Sequence, residues 1–301
     1  MEEKNSIFND LIVFEMANSH QGSVEHGLDI IKAMGRIARK YNVRAAVKLQ
    51  YRNLDNFIHP DYVNKPDVPH VSRFMSTRLT YDQFQQLVDA IKEEGMISMV
   101  TPFDEDSVEW CMDHGVDIIK VASCSSLDWP LLTTVVATHK PIIISTGGKT
   151  VSDIDKIFNF CTHKGAEFAF MHCVAEYPAP EDRLQLDFID KMNKRYGDVV
   201  VGYSGHEAPD DNVVAMLAVA KGAKIFERHV GLPTETIKLN AYSMNPEQAD
   251  AWVASILRAK DICKTKKGDT KYISQAELDS LNSLMRGVYL KHPVKKGDVL
   301  G

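Results

Sequence analysis

Glu15, Lys48, Gln50, Thr101, Lys120, Ser123, Ser145, Ser204, His206, Glu227 and His229 each stand at or near the end of a short apolar run. Their types suit the chemistry of a phosphorylated acid. A phosphate with an adjoining carboxylate needs converging cations and neutral hydrogen-bond donors. Lys48 and Lys120 supply the cations; Thr101, Ser123, Ser145, Ser204 and the amides around Gly147 supply the donors. A lysine among apolar neighbours is costly to bury without an anion, so the alternative is an ion pair with Glu15 or Glu227. Those two glutamates could also steer a hydroxyl or a proton, and both roles are compatible. His206 and His229 could share one divalent metal, with water and substrate oxygens completing the shell.

The elements that must position these groups repeat eight times. Apolar runs at 11–17, 45–50, 96–103, 117–123, 141–147, 167–173, 199–206 and 224–231 read as strands. Patterns with a period near 3.6 follow at 24–41, 80–94, 105–114, 127–139, 152–164, 184–196, 211–221 and 246–264 and read as helices. Eight strand–helix units make a (β/α)8 TIM barrel of the α/β class, whose active site lies at the C-terminal strand ends. The period of two in a strand puts Val13, Glu15 and Ala17 on one face, as it does Ala46, Lys48 and Gln50, then Gly202, Ser204 and His206, then Ile225, Glu227 and His229. With those faces inward, the polar groups point into the barrel mouth. His172 shares its face with Phe168 and Phe170, which reads at least as well as a packed core histidine. Glycines at 95, 115, 165, 197 and 222 should close helices.

Two segments break the pattern. The connection 51–79, with His59, Pro60, Pro66, Pro69 and His70, is long enough to be functional or mobile. From 265 onward the chain reads as a short C-terminal extension with a helix near 274–285, so the domain reading is a barrel over 1–264 and an extension over 265–301.

The 301 residues are 44% hydrophobic, enough for one large core, and a net charge of −6 argues against a nucleic-acid partner. No apolar run reaches the roughly 18 residues of a membrane span. Five scattered cysteines read as reduced thiols, and the expected location is the cytoplasm.

In chain order, Glu15-Met-Ala-Asn-Ser-His-Gln-Gly22, Lys48-Leu-Gln50, Thr101-Pro-Phe-Asp104, Lys120-Val-Ala-Ser123, Ser145-Thr-Gly147, His172-Cys-Val-Ala-Glu-Tyr-Pro-Ala-Pro180, Val201-Gly-Tyr-Ser-Gly-His206 and Glu227-Arg-His229 resemble the motifs of the sialic acid synthase family. The resemblance implies condensation of phosphoenolpyruvate with a sugar aldehyde, such as an amino sugar, to give a 3-deoxy-2-keto sugar acid. It implies that Lys48, Lys120, Thr101, Ser123, Ser145, Gly147 and Ser204 hold phosphoenolpyruvate with Gln50 nearby. It matches Glu15 and Glu227 to family glutamates, and His206 and His229 to the ligands of a divalent cation, usually manganese. Tyr177 is a candidate for closing over substrate, or for ordinary packing. The resemblance also implies a homodimer. The stretch Val294-Lys-Lys-Gly-Asp298 resembles the linker into a small antifreeze-like (SAF) domain, which the expectation leaves absent. Three positions depart from the family pattern, with Ser125, Gly205 and Leu239 or Asn240 where it carries acids. These departures keep open a different acceptor, a metal-dependent aldolase or isomerase, and a non-catalytic ligand-binding homologue.

Overall fold

The computed structural model describes residues 6–63, 65, 67–68, 70–264 and 271–299. Eight strands, β1 (Leu11–Glu15), β2 (Ala45–Tyr51), β3 (Ile97–Pro102), β4 (Ile118–Val121), β5 (Ile142–Ser145), β6 (Phe168–Cys173), β7 (Val200–Gly205) and β8 (Ile225–His229), pair in sequence order and close into a barrel. Every neighbouring pair is parallel, including β1 with β8. This is the (β/α)8 fold expected from the eight repeats.

The helices are α1 (Val24–Tyr41), α2 (Leu54–Phe57), α3 (Val71–Ser76), α4 (Tyr81–Glu93), α5 (Glu105–Asp113), α6 (Trp129–Ala137), α7 (Val151–His163), α8 (Asp187–Tyr196), α9 (Val213–Ala220), α10 (Pro246–Cys263) and α11 (Gln275–Leu284). Side-chain caps fix several entries into helices: Ser23 accepts from the His26 amide, and Thr80 and Gln83 form a reciprocal capping box. At the other ends, Gly95 and Gly222 carry φ of 76° and 89°, conformations that cost a side chain about 1 kcal/mol or more. Two compact units are distinguished, 1–262 and 263–301, and the second contains α11.

The period of two divides the core into two shells. Leu11, Val13, Ala46, Met99, Ile118, Ile143, Ala169, Met171 and Ile225 fill the barrel interior, together with Phe8 from just before β1. The alternate residues, among them Ile12, Phe14, Val47, Leu49, Ile119, Ile144, Phe170 and Phe226, pack outward against the helices. Above the interior apolar layer the inward positions turn polar, and the site begins there.

The structure corrects three details. β1 ends at Glu15, and Ala17 sits at φ 47°, so it has left the strand and does not continue the Glu15 face. Ser123 lies beyond β4 in a short 3-10 turn, Ser123–Ser125, because the strand stops at Val121. The connection 51–79 is not irregular throughout, since it contains α2 and α3. Pro66, Pro69 and the segment 265–270 lie outside the described residues.

Candidate active site

Four buried charges stand on the inward faces of β1, β2, β4 and β8. Lys48 Nζ lies 2.5 Å from Glu15 Oε2 and 2.8 Å from Glu227 Oε2. Lys120 Nζ donates to both Glu227 oxygens at 3.1 and 3.2 Å, and Ser204 Oγ donates to Glu227 Oε1 at 2.8 Å. Register explains the meeting, since Glu15 is level with Lys48 on one side and His229 on the other. Burial would raise the Glu227 carboxyl, but Lys120 and Lys48 outweigh it and hold it well below the usual range. Burial pushes Lys48 down to about 7 despite the pull of Glu227. A lysine that titrates near neutrality can act as acid or base as well as counter-ion.

Both lysines are therefore paired with glutamates, as the ion-pair alternative expects. Lys48 is the ion-pair partner of both carboxylates, and Gln50 Nε2 donates to the other oxygen of Glu15 at 3.2 Å. Thr101 Oγ1, also inward, is buried with no hydrogen-bond partner among the described residues. A buried hydroxyl without a partner at a barrel mouth is a group that a bound ligand would satisfy.

Ser145 is buried at the end of β5. Beside it, Ser123 Oγ accepts from the Gly147 amide at 2.9 Å and lies 3.2 Å from Cys173 Sγ. The Gly147 amide is thus already engaged by a side chain. A Cβ on Gly147 would come within 2.6 Å of Cys173 Sγ and 2.9 Å of Ser123 Oγ, so only glycine fits the turn. Cys173, rather than His172, is the inward residue of β6. His172 bonds the Leu184 carbonyl oxygen through Nε2 at 2.8 Å and packs on Phe188 and Tyr203, which makes it a core histidine.

His206 and His229 face each other with ring centroids 5.6 Å apart. His206 Nδ1 bonds the Val174 carbonyl oxygen at 3.0 Å, which fixes the ring and leaves Nε2 free to ligate. Burial drives His206 to about 4, and burial with the neighbouring His206 and Lys48 drives His229 well below its ordinary value. Both are neutral at pH 7, the form that binds metal. No cluster of three or more His, Cys, Asp or Glu ligands occurs among the described residues, so these two imidazoles would need water or substrate oxygens to complete a shell. They fit a divalent cation on those terms. Tyr177 lies 4.3 Å from His206 by ring centroid, and Tyr242, which the sequence reading did not single out, lies 5.0 Å from His229 and 5.2 Å from Tyr177. The two tyrosines wall the histidine pair.

The three departures have distinct surroundings. Beside Gly205, where the resemblance expects an acid, the Glu207 carboxylate occupies the space, with its oxygens 2.5 and 2.7 Å from where a Gly205 Cβ would be. Glu207 is held by Arg228 Nη1 at 2.8 Å and by Tyr203 Oη at 2.9 Å, and Arg228 also donates to the Glu207 and Ala208 carbonyl oxygens. Glu207 and Arg228 thus carry a buried pair on the outer side of the two histidines. Ser125 is buried in its turn, with its Oγ 3.8 Å from Cys124 Sγ, and Leu239 packs onto Gly231.

With this geometry in view, residues 26–268 match the family model described as NeuB family. The chain belongs to the NeuB family. Over 297 residues it is 26% identical to human N-acetylneuraminate-9-phosphate synthase, covering 96% of this chain and 80% of that protein. It is 25% identical to the N,N'-diacetyllegionaminic acid synthase of Campylobacter jejuni, covering 96% of this chain and 87% of that protein. A solved structure from Chromobacterium violaceum, provisionally assigned as spore coat polysaccharide biosynthesis protein E, superposes with a TM-score of 0.88 at 46% identity, covering 92% of this chain and 82% of that one. NeuB-family relatives thus include synthases of sialic and related nonulosonic acids. Among the described residues, no helix is long and apolar enough to cross a membrane.

Proposed function

We propose that this protein is a metal-dependent synthase that joins phosphoenolpyruvate to an aldose, giving a 3-deoxy-2-keto sugar acid and inorganic phosphate. The observation that carries the reading is the buried Glu15–Lys48–Glu227–Lys120 network lying beside two neutral, facing imidazoles at the barrel mouth. In the reaction, C3 of phosphoenolpyruvate bonds to the aldehyde carbon, whose oxygen takes a proton and becomes a hydroxyl. Water adds at C2, loses a proton, and the resulting tetrahedral centre expels phosphate to leave the ketone. Lys48, Lys120, Thr101, Ser123 and Ser145 would bind the phosphate and carboxylate. Lys48 Nζ, titrating near 7, and its ion-pair partner Glu15 would exchange the protons. A divalent metal, manganese in this reading, would be held by His206 and His229 and would supply polarisation of the aldehyde when bound. Tyr177 and Tyr242 would wall the acceptor side. Assembly as a homodimer and location in the cytoplasm complete the proposal; light scattering and fractionation test them.

The decisive assay is phosphate release from phosphoenolpyruvate with manganese and a panel of free aldoses, with release matching sugar consumed. An aldolase or isomerase would not release phosphate in step with sugar. Ser125 and Leu239, which leave two acid positions unfilled, favour one second reading, a ligand-binding homologue without turnover. Tight phosphoenolpyruvate binding with no phosphate release from any aldose would establish it.

A further inference from the structure

Glu207 and Arg228 flank the two facing histidines in the chain, one residue after His206 and one before His229. Both side chains are only 1% exposed. Parity turns Arg228 away from the barrel interior, which Ile225 faces on the same strand. Its guanidinium closes on one short stretch of chain. Nη1 donates to Glu207 Oε1 at 2.8 Å, and Nη2 donates to the Glu207 and Ala208 carbonyl oxygens at 2.8 and 3.0 Å. Tyr203, on β7, donates to the other carboxylate oxygen at 2.9 Å. A carboxylate held at both oxygens beside a planar fork has little freedom to move.

The place of this clamp matters because the sheet ends there. The β7–β8 ladder pairs Tyr203 with Phe226, Ser204 with Glu227 and Gly205 with Arg228, and it stops one residue short of both histidines. His229 keeps its place on the β1 side, level with Glu15. His206 has left β7 and is held from the β6–α8 connection: its carbonyl oxygen accepts from the Ala179 amide at 2.9 Å, and its Nδ1 meets the Val174 carbonyl oxygen. One imidazole is thus anchored toward β1 and the other toward β6. Across the gap, Arg228 ties the backbone next to His206 to the residue next to His229. Gly205 belongs to the same arrangement. A Cβ there would lie 2.5 and 2.7 Å from the Glu207 oxygens and 2.9 Å from Arg228 Cδ, so an acid at 205 and the acid at 207 compete for one space and one guanidinium.

We infer that Glu207 and Arg228 are positioning residues whose clamp sets the separation of the His206 and His229 imidazoles, and with it the affinity for a divalent cation. The inference rests on the metal-dependent reading and extends it to residues that face away from the barrel mouth.

The test is manganese binding to the full chain, read by the electron paramagnetic resonance of free and bound ion well below the unfolding temperature. Glu207→Ala should weaken binding by about tenfold to a hundredfold and alter the spectrum of the bound ion, as loss of a partner behind metal ligands does. Gly205→Asp combined with Glu207→Ala returns a carboxylate to the vacated space. It should recover affinity to within about threefold of the wild type, the non-additivity expected of two side chains that share one site. A merely structural pair would lower the melting temperature of Glu207→Ala and leave manganese affinity unchanged, and that result would overturn the inference. So would a double variant that regains the melting temperature but not the affinity. If Glu207→Ala does not fold, Glu207→Gln keeps the shape and removes the charge. It should bind manganese at least about threefold more weakly, and an unchanged affinity overturns the inference. Wild-type protein that binds no manganese would overturn the metal reading and this inference together. Binding that His206→Ala abolishes and Glu207→Ala spares would overturn the positioning role alone.

Discussion

The inner ring of charges and the rim above it are built on opposite principles. Glu15, Lys48, Lys120 and Glu227 stand on strands, with ladder partners on both sides for all but Lys120, which pairs with β5, and they satisfy one another at 2.5–3.2 Å. Tyr177, Tyr242 and Arg52 stand on connections, held by ring contacts and turns. Strand-borne groups cannot move without breaking the barrel, so they suit a substrate common to many reactions. Loop-borne groups can be exchanged at small cost in fold stability, so they suit the partner that varies. Two of the departures fall accordingly, in the turn after β4 and in the segment after β8, while Gly205 is the last residue of β7 itself.

Four measurements would break or sharpen this contrast. The largest effect is expected for Lys120→Ala. It strips Glu227 of one buried cation, and although Lys48 and Ser204 remain, the loss should be about 3 kcal/mol in denaturant unfolding, together with a fall in phosphoenolpyruvate affinity of at least about a hundredfold. Unchanged stability would show that the pair is less tightly coupled than its geometry indicates. Next, alanine at His206 or His229 should each lower manganese affinity by about a hundredfold, read by the electron paramagnetic resonance of bound and free ion, with a smaller change in melting temperature. Equal binding by both variants and the wild type would remove the metal from these residues.

The third measurement concerns pH. Lys48 in the free protein is charged below about 7 and neutral above it. An anion favours the charged form, so phosphoenolpyruvate affinity should be greatest below that point and fall as pH rises through it, by up to about tenfold per unit, with proton uptake on binding. In stability the same shift has a fixed sign. The unfolded lysine keeps its proton up to its ordinary value, so between pH 7 and that value the unfolded chain binds more protons, and the Lys48 contribution to stability rises with pH. Calorimetry in buffers of different ionisation enthalpy checks the uptake; a flat affinity from pH 6 to 9 would contradict it. The smallest effect is at the rim. Tyr177→Ala should raise the acceptor KM by about tenfold and leave that of phosphoenolpyruvate nearly unchanged. A matched rise in both would mean that the rim serves both substrates and that the contrast is false.

The strand half of the site was legible in the sequence because a period of two, applied to eight apolar runs, assigns each polar residue a face. Glu15, Lys48, Lys120 and Glu227 converge for that reason alone. The same rule, carried past a strand end, failed at Ala17, which turns away at φ 47°. Applied to β6, it points to Cys173 as the inward neighbour of Ser123. The rim was not legible. Nothing in the spacing of Phe57, Phe74 and Phe103 shows that three separate connections will stack on one guanidinium. The Glu207–Arg228 pair was hidden in a similar way, since an acid displaced by two positions from 205 leaves no periodic trace yet fills nearly the same space.

Phe8 gives the barrel a direction of traffic. It is 2% exposed and joins the apolar side chains that fill the interior beneath the charged ring, so the barrel is a well with one opening. Whatever lies deepest must arrive first, and whatever lies above it must depart before it can leave. In the proposed reaction a ligand held among the lysines would lie beneath one resting at the tyrosine rim, like items in a tube, and the plug at the bottom rather than either binding surface would set the order of their coming and going.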